Sequence, residues 1–468
     1  MSRVVLVTGG GAGIGWAAAQ HFAAGGDAVV IADIDGDAAT ARARDLGQGH
    51  VGLAADVADP AAAEAIVAAC IARFGRLDVV INNAGVIDSG GTPFTDQPLD
   101  ALRRLLGINL LGMERVSHAA RAVMRTQAPL AEGAPRGVIV NLASGAAFRA
   151  IPLRNGYSAS KAGVVAMTRA HGCAWAREGI RVNALAPGYI RTDLVADLIR
   201  RGRVDPSLAE SRIPLGRMGT PAEMAAVAGF LASPAARGMA GAVLIADGGG
   251  SVYGGSDAAP VQRGAAPRPA PDGTPCHVVA GADTALGAAC VRVLTASGAN
   301  VSAIDAAADL HAAIAAAASR FGRLDGLVNA AGTDGLLDPA ASTASQIETH
   351  LERHFLAAQA AGRIMLAQGW GSVVNLTSTA GQAAGLGPDG GSIASGAIGM
   401  LTRSMACEWG GSGVRANALA LGPQIAPDTA AAAAFLLSPG AGYITGSVIV
   451  MDGGLSIHAG PEEPNPWH

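Results

Sequence analysis

Val4-Val5-Leu6-Val7-Thr8-Gly9-Gly10-Gly11-Ala12-Gly13-Ile14-Gly15 decides how the chain is read. Four apolar residues in a row are expected of a strand buried on both faces. The glycines that follow allow a tight turn and let backbone approach a ligand closely. Trp16 to Ala24 then reads as a helix, whose N-terminus favours an anion. A Gly-rich loop alone is equally an ordinary flexible turn. The second apolar run, Ala28-Val29-Val30-Ile31-Ala32, ends in Asp33, about 20 residues on, where a dinucleotide fingerprint places its acid. A carboxylate there accepts hydrogen bonds from ribose hydroxyls and repels a 2′-phosphate. Neither the loop nor the residues just after Asp33 offer Arg or Lys, so NAD is favoured over NADP.

The alternation continues outward. Val51 to Ala55 leads to Asp56-Val57, and Val79-Val80-Ile81 leads to Asn82-Asn83-Ala84-Gly85. Val138-Ile139-Val140 leads to Asn141, and Ile180 to Ala186 leads to Pro187-Gly188. This pattern predicts an α/β fold with a doubly wound parallel sheet and ligands at the carboxyl ends of its strands. Asp56, Asn83, Ser144 and Gly188 all fall at such ends.

Tyr157-Ser158-Ala159-Ser160-Lys161 carries chemistry. On a helix, Tyr157 and Lys161 share one face. A phenol of pKa about 10 is a poor base at neutral pH, and a neighbouring ammonium favours its anion. Ser144 could hold a substrate oxygen while a proton passes to or from Tyr157. Taken alone, Tyr-x-x-x-Lys reads more readily as a solvated helix pair.

Composition bounds the rest. The 468 residues are 50% hydrophobic and 15% charged, with a net charge of −4. That length suggests more than one domain. The mixed charge leaves no basic footprint for nucleic acid, and no apolar run is long enough to span a bilayer. The Gly-rich loop comes too early for a signal peptide. The five cysteines, Cys70, Cys173, Cys276, Cys290 and Cys407, are scattered and without a C-x-x-C pair. Reduced thiols in a cytoplasmic protein, with no metal site, are expected.

In order, Thr8 to Gly15, Asp56-Val57, Asn82 to Gly85, Asn109, Ser144, Tyr157/Lys161, Pro187 to Thr192 and Asp247-Gly248-Gly249 make the first roughly 250 residues resemble the short-chain dehydrogenase/reductase family over their whole length. The resemblance implies a Rossmann-like fold. It assigns Ser144 to the substrate oxygen, Tyr157 to proton exchange and Lys161 to the nicotinamide ribose and to tuning Tyr157. Asn109 would hold a relay water or, more plainly, serve as a side-chain cap. Cofactor contacts are implied at Gly9, Gly13, Ile14, Gly15, Asp33, Ile34, Asp56, Val57, Asn83, Ala84, Gly85, Tyr157, Lys161, Pro187, Gly188, Ile190 and Thr192. Asp56 would meet the adenine, Asn83 the adjacent ribose, and Ile190 and Thr192 the carboxamide. Residues 191–217 match a mobile lid or a surface helix pair. Phe148, Arg149, Ile151, Leu153 and Tyr189 are candidate substrate wall.

Residues 254–275, with Ala-Pro-Arg-Pro-Ala-Pro at 266–271, read as a semi-rigid linker. The chain then repeats itself. Val278 to Gly287 parallels Leu6 to Gly15, and Asp305 follows Gly287 by the interval that separates Asp33 from Gly15. Phe321 to Asp325 echoes Phe74 to Asp78, and Asp452-Gly453-Gly454 echoes Asp247-Gly248-Gly249. The expectation is two Rossmann-like domains in tandem, at 1–253 and 276–458, the second truncated, followed by a tail at 459–468.

Aligning Thr168-Arg169 with Thr402-Arg403 keeps Ser144 as Ser378 but turns Tyr157 into Gly391 and Lys161 into Ser395. Asn109 becomes His350 and Gly13 becomes Ala285. The third strand with its Asp, and the lid, are missing from the copy. The helices at Tyr157 and at 392–409 are apolar on several sides, and in the resembling family such helices pack between subunits. The second half is therefore expected to take a partner's place, so that two chains form a pseudo-tetramer. A tethered remnant is the alternative. The activity implied is NAD(H)-dependent interconversion of a secondary alcohol and a ketone in the first half. Reduction of a 3-oxoacyl thioester, or a nucleotide-sensing scaffold, are the competing readings.

Overall fold

The computed structural model describes residues 2–87, 98–149, 155–202, 204–251, 265–331, 333, 350, 352–379, 389–422 and 426–457. Ile151, Leu153 and the tail therefore lie outside the described residues, as do residues 254–264 of the linker.

The first half runs β1 (Val4–Thr8), α1 (Gly13–Ala24), β2 (Ala28–Asp33), α2 (Gly36–Leu46), β3 (Val51–Ala54), α3 (Ala62–Phe74), β4 (Val79–Asn82) and α4 (Leu99–Leu106). A π-helical turn, Gly107–Gly112, leads into α5 (Met113–Met124), β5 (Gly137–Leu142), α6 (Asn155–Trp175), β6 (Ile180–Pro187), α7 (Asp193–Arg200), α8 (Pro206–Ser211), α9 (Pro221–Leu231) and β7 (Val243–Ala246). Its seven strands are parallel, in the order β3-β2-β1-β4-β5-β6-β7. β1, β4, β5 and β6 are buried along their whole length, because helices cover both faces. This is why those strands read as continuous apolar runs rather than alternating ones.

The second half repeats the plan with β8 (Cys276–Ala280), α10 (Ala285–Ala296), β9 (Asn300–Ile304), α11 (Leu310–Phe321), β10 (Gly326–Asn329), α12 (Arg353–Gln368), β11 (Gly371–Ser378), α13 (Asp389–Trp409), β12 (Val414–Leu421), α14 (Ala426–Leu437) and β13 (Val448–Met451). Its sheet has six strands, in the order β13-β12-β11-β10-β8-β9. β9 forms its edge, and the chain passes directly from β9 to α11 with no counterpart of β3, as the sequence predicts. The repeated Phe-Gly-Arg-Leu-Asp segment does one job twice. Asp78 pairs with Arg76 at 2.6 Å and accepts from Val4 N at 2.8 Å. Asp325 pairs with Arg323 at 2.6 Å and accepts from Cys276 N at 2.8 Å.

The helices that join the halves are not the expected ones. Among the described residues, contact runs through α9 and α14, where Phe230 stacks on Phe435 with centroids 4.1 Å apart, rather than through α6 against α13. The 3₁₀ turns after α9 and α14, Pro234–Ala236 and Pro439–Ala441, pack against the opposite helix. Arg237 pairs with Asp428 across the boundary, and Ser447 Oγ donates to Ile245 O at 2.9 Å. One continuous apolar core contains residues of both halves, from Phe230 and Leu231 to Leu436 and Ile444. The second half is packed onto the first rather than tethered beside it.

Candidate active site

α1 begins without a side-chain cap: Ala12 offers its N-terminal N–H groups no hydroxyl or carboxylate. Helix N–H groups left in this way are ready for an anion. Gly9 and Gly13 hold φ of +65° and +56°, conformations that a side chain would strain. Gly15 lies beneath the turn, where a Cβ would come 2.2 Å from Gly9 O. Asp33 closes the loop: its carboxylate accepts from Gly11 N at 2.9 Å and Asp35 N at 3.1 Å. Arg42, from α2, went unnoticed in the sequence. Its Nε donates to Gly11 O at 3.2 Å, and its guanidinium lies 4.8 Å from the Trp16 ring centroid.

A cleft of about 1130 Å³ runs from this loop across the carboxyl ends of the strands. At the end nearest the Gly-rich loop the wall includes Gly9, Gly13, Ile14, Asp33, Ile34, Asp56, Val57, Asn83, Ala84 and Gly85. At the other end it includes Ser144, Tyr157, Lys161, Pro187, Gly188, Tyr189, Ile190 and Thr192. The structure thus brings most of the sequence-derived set to one surface, although those residues are spread over nearly two hundred positions. Gly15 and Asn109 do not line it. The Asn83 amide is committed to the turn, donating to Thr8 O at 3.0 Å and Gly9 O at 2.8 Å.

Asn109 sits fully buried in the π-helical turn. Its Oδ1 accepts from Val86 N at 2.8 Å, and its Nδ2 donates to Val86 O at 2.8 Å and Ser160 Oγ at 3.1 Å. It braces the segment after β4 against α6. Ser160 Oγ in turn donates to Tyr157 O at 2.7 Å, so Asn109 helps fix the helix that carries the phenol. Lys161 is buried and donates to Leu142 O at 2.7 Å, and its Nζ lies 5.9 Å from the centroid of the Tyr157 ring. Burial pushes the Lys161 ammonium down to about 8. A Cβ at Gly85 would lie 3.3 Å from Asn109 Oδ1 and 3.6 Å from Lys161 Nζ, so backbone here lets both groups close in.

Over the end that holds Ser144 and Tyr157 lie α7 and α8. Leu194, Val195, Leu198 and Leu208 face the cleft with Arg104, Arg149 and Arg212. Of the predicted substrate wall, Arg149 and Tyr189 line the cleft; Phe148 is 40% exposed and does not.

The second half treats the equivalent positions differently. Thr284, which aligns with Ala12, caps α10: its hydroxyl accepts from Gly287 N at 3.0 Å and donates to Gly281 O at 2.7 Å. The helix terminus that is open in α1 is closed here by the chain's own hydroxyl. Asn82 donates to Met113 O at 3.4 Å and Asn329 donates to His354 O at 3.0 Å, which fixes the register and sets His350 at the place of Asn109. The second half contains no lysine, so no side-chain ammonium stands at the end of β11. Instead, His354 Nε2 lies 3.0 Å from Leu376 O, the carbonyl equivalent to the one that Lys161 binds.

Comparison with known proteins agrees with this duplication. The sequence model of a family described as enoyl-(acyl carrier protein) reductase matches residues 9–251 and again 278–427. An uncharacterized short-chain type dehydrogenase/reductase, y4vI, of Sinorhizobium fredii is 33% identical across 97% of this chain and 92% of its own length. A cis-4-hydroxycyclohexanecarboxylate dehydrogenase of Sinomonas cyclohexanicum is 40% identical across 53% of this chain and 96% of its own. Among solved structures, gox2181 is 33% identical with a TM-score of 0.50, over 54% of this chain and 96% of that one.

Proposed function

Because this chain belongs to the short-chain dehydrogenase/reductase family, in two tandem copies, we propose that its first half is an NAD(H)-dependent oxidoreductase that interconverts a secondary alcohol and a ketone. The observation that carries this reading is one cleft holding Ser144, Tyr157 and Lys161 at one end and the uncapped Gly-rich loop with Asp33 at the other. The loop fits a dinucleotide. A Cβ at Gly13 would meet only the Thr192 side chain, at 3.5 Å, which leaves backbone open to a pyrophosphate. Asp33 supports NAD over NADP, since its carboxylate would repel a 2′-phosphate.

The bound nicotinamide would supply the hydride acceptor or donor. Ser144 would hold the substrate oxygen, and Tyr157 would give or take the proton on that oxygen. Lys161, fixed by Leu142 O and stripped of water, would stabilise the phenolate. Asn109 would act by holding α6 in place. The apolar faces of α7 and α8 would exclude water from the reacting carbon.

The second half is proposed to be structural. It has Gly391 and Ser395 in place of the phenol and ammonium, and a threonine hydroxyl in the phosphate position. Two such chains would form a pseudo-tetramer.

The deciding experiment is Tyr157→Phe with NADH affinity and turnover measured together. Turnover on a panel of secondary alcohols should fall at least ~100-fold with NADH affinity unchanged. Retained turnover would remove Tyr157 from the chemistry. A variant inactive in turnover yet unchanged in its cellular role would favour the sensing scaffold.

A further inference from the structure

Tyr443, in the second half, has no equivalent in the first. It follows the turn after α14, and aligning Ser438-Pro439 with Ser233-Pro234 sets Gly238 at the same place. The backbone there is reciprocal: Gly248 N donates to Tyr443 O at 3.0 Å, and Gly453 N donates to Gly238 O at 3.0 Å. The side chains are not. Tyr443 is fully buried, and its ring enters the first half between two glycines. A Cβ at Gly219 would fall 2.6 Å from Tyr443 Cδ1, and one at Gly248 would fall 2.8 Å from Cε2. On the opposite side, a Cβ at Gly453 would meet nothing within 4 Å among the described residues.

The phenol ends at the base of the segment that covers the cleft. Its hydroxyl lies 3.3 Å from Tyr189 O and 3.2 Å from Arg217 O. Those two carbonyls bracket α7 and α8 in sequence. The same two strands of chain are stitched together above the ring, where Arg191 N donates to Gly219 O at 2.8 Å and Gly219 N to Tyr189 O at 2.9 Å. Arg217 lies over the ring at 5.3 Å and is held by Glu223 at 2.6 Å. Pro214, in the same segment, packs against Gly410 of the second half, where a Cβ would lie 2.7 Å from the proline carbonyl carbon.

A filler for a duplicated interface has reason to occur on both sides. Here the tyrosine stands only on the side that has a helical segment to hold, and the half without such a segment faces a glycine. We propose that Tyr443 is a positioning residue for the first-half site, a clamp by which the second half fixes both hinges of the α7–α8 lid. This rests on the reading of that segment as the cover of the first-half cleft.

The test is limited trypsin digestion of the full chain, followed at Arg200 and Arg201 by mass spectrometry with melting temperature recorded in parallel. Tyr443→Phe removes only the hydroxyl and should speed cleavage about tenfold with little change in melting. Tyr443→Gly, which copies the opposite side, should speed it further. Phe435→Ala weakens the same interface away from the hinges and should leave the lid rate near that of the unaltered protein. Cleavage of Tyr443→Phe at the unaltered rate would overturn the clamp, as would equal acceleration by Phe435→Ala. If Tyr443→Gly does not fold, the phenylalanine variant still decides. None of these readouts needs turnover, so loss of the proposed chemistry through retained activity in Tyr157→Phe would be seen separately.

Discussion

Lys161 donates to the Leu142 carbonyl at 2.7 Å from a position stripped of water. The hydrogen bond ties α6 to the end of β5 and fixes the ammonium at the proposed site. It also carries a cost. Burial lowers the Lys161 pKa from 10.5 to about 8, which means that the folded state disfavours the charged form.

The sign of that cost can be measured. Below pH 8 Lys161 is charged in both folded and unfolded chains, and the folded state bears the full desolvation penalty. Between about 8 and 10.5 the unfolded chain binds more protons, so stability rises with pH. Relative to Lys161→Met, the unaltered protein should gain on the order of 3 kcal/mol across this window. Denaturant titrations of both proteins from pH 7 to pH 11 would check it, and parallel curves would show that the ammonium is not desolvated.

The two helix N-termini make a second prediction. Ala12 leaves α1 open, whereas Thr284 closes α10 with its own hydroxyl. Ala12→Thr should cap α1 and weaken NADH binding about tenfold, without lowering the melting temperature. Calorimetry of NADH on this variant reads the effect directly. Unchanged affinity would mean that the cofactor does not use that terminus.

A third prediction concerns the division between the halves. Phe230 stacks on Phe435, and the core around them is shared. Cutting the chain after residue 251 would uncover this face at about 2 kcal/mol for each large apolar side chain exposed. The fragment should melt lower or pair with itself through α9. An unchanged melting temperature together with a monomeric mass would show the halves to be independent.

The parallel sheets and most of the cleft were legible in the sequence because they depend on local signals, whereas the order of the strands was not read from it. Buried parallel strands write themselves as apolar runs, and the loops that end them carry Gly9, Asp33, Ser144 and Gly188. The missing counterparts of β3 and of α7–α8 were legible as shortened spacing. What was not legible depends on long-range contact. α6, α9, α13 and α14 are all apolar on more than one side, which signals that something covers them but not what. The pairing of α9 with α14 follows from the turns after them, which pattern alone does not locate. Asn109 reads either as a relay residue or as a side-chain cap, and its bonds to Val86 and Ser160 are long-range contacts that the sequence does not reveal. His354 could not be linked to the loss of Lys161 before β11 and α12 were placed side by side.

The faces left over make the last prediction. Among the described residues α6 and α13 do not pair with each other, yet each keeps apolar side chains at the surface. Ala162 and Ala166 are exposed on α6. Leu111, Phe355 and Met400 are 43%, 48% and 57% exposed on the π-helical turn, α12 and α13. Water would not favour so many apolar side chains along adjacent helices unless another surface covers them. A second chain presenting the same helices would cover them and complete the proposed pseudo-tetramer. Light scattering should therefore give the mass of two chains. Phe355→Glu combined with Met400→Glu should shift it to one chain, because two carboxylates would be buried without partners. The α9–α14 contact and the cleft lie elsewhere, so NADH affinity should survive in the single chain. A single-chain mass for the unaltered protein would end the pseudo-tetramer and leave these faces to another partner.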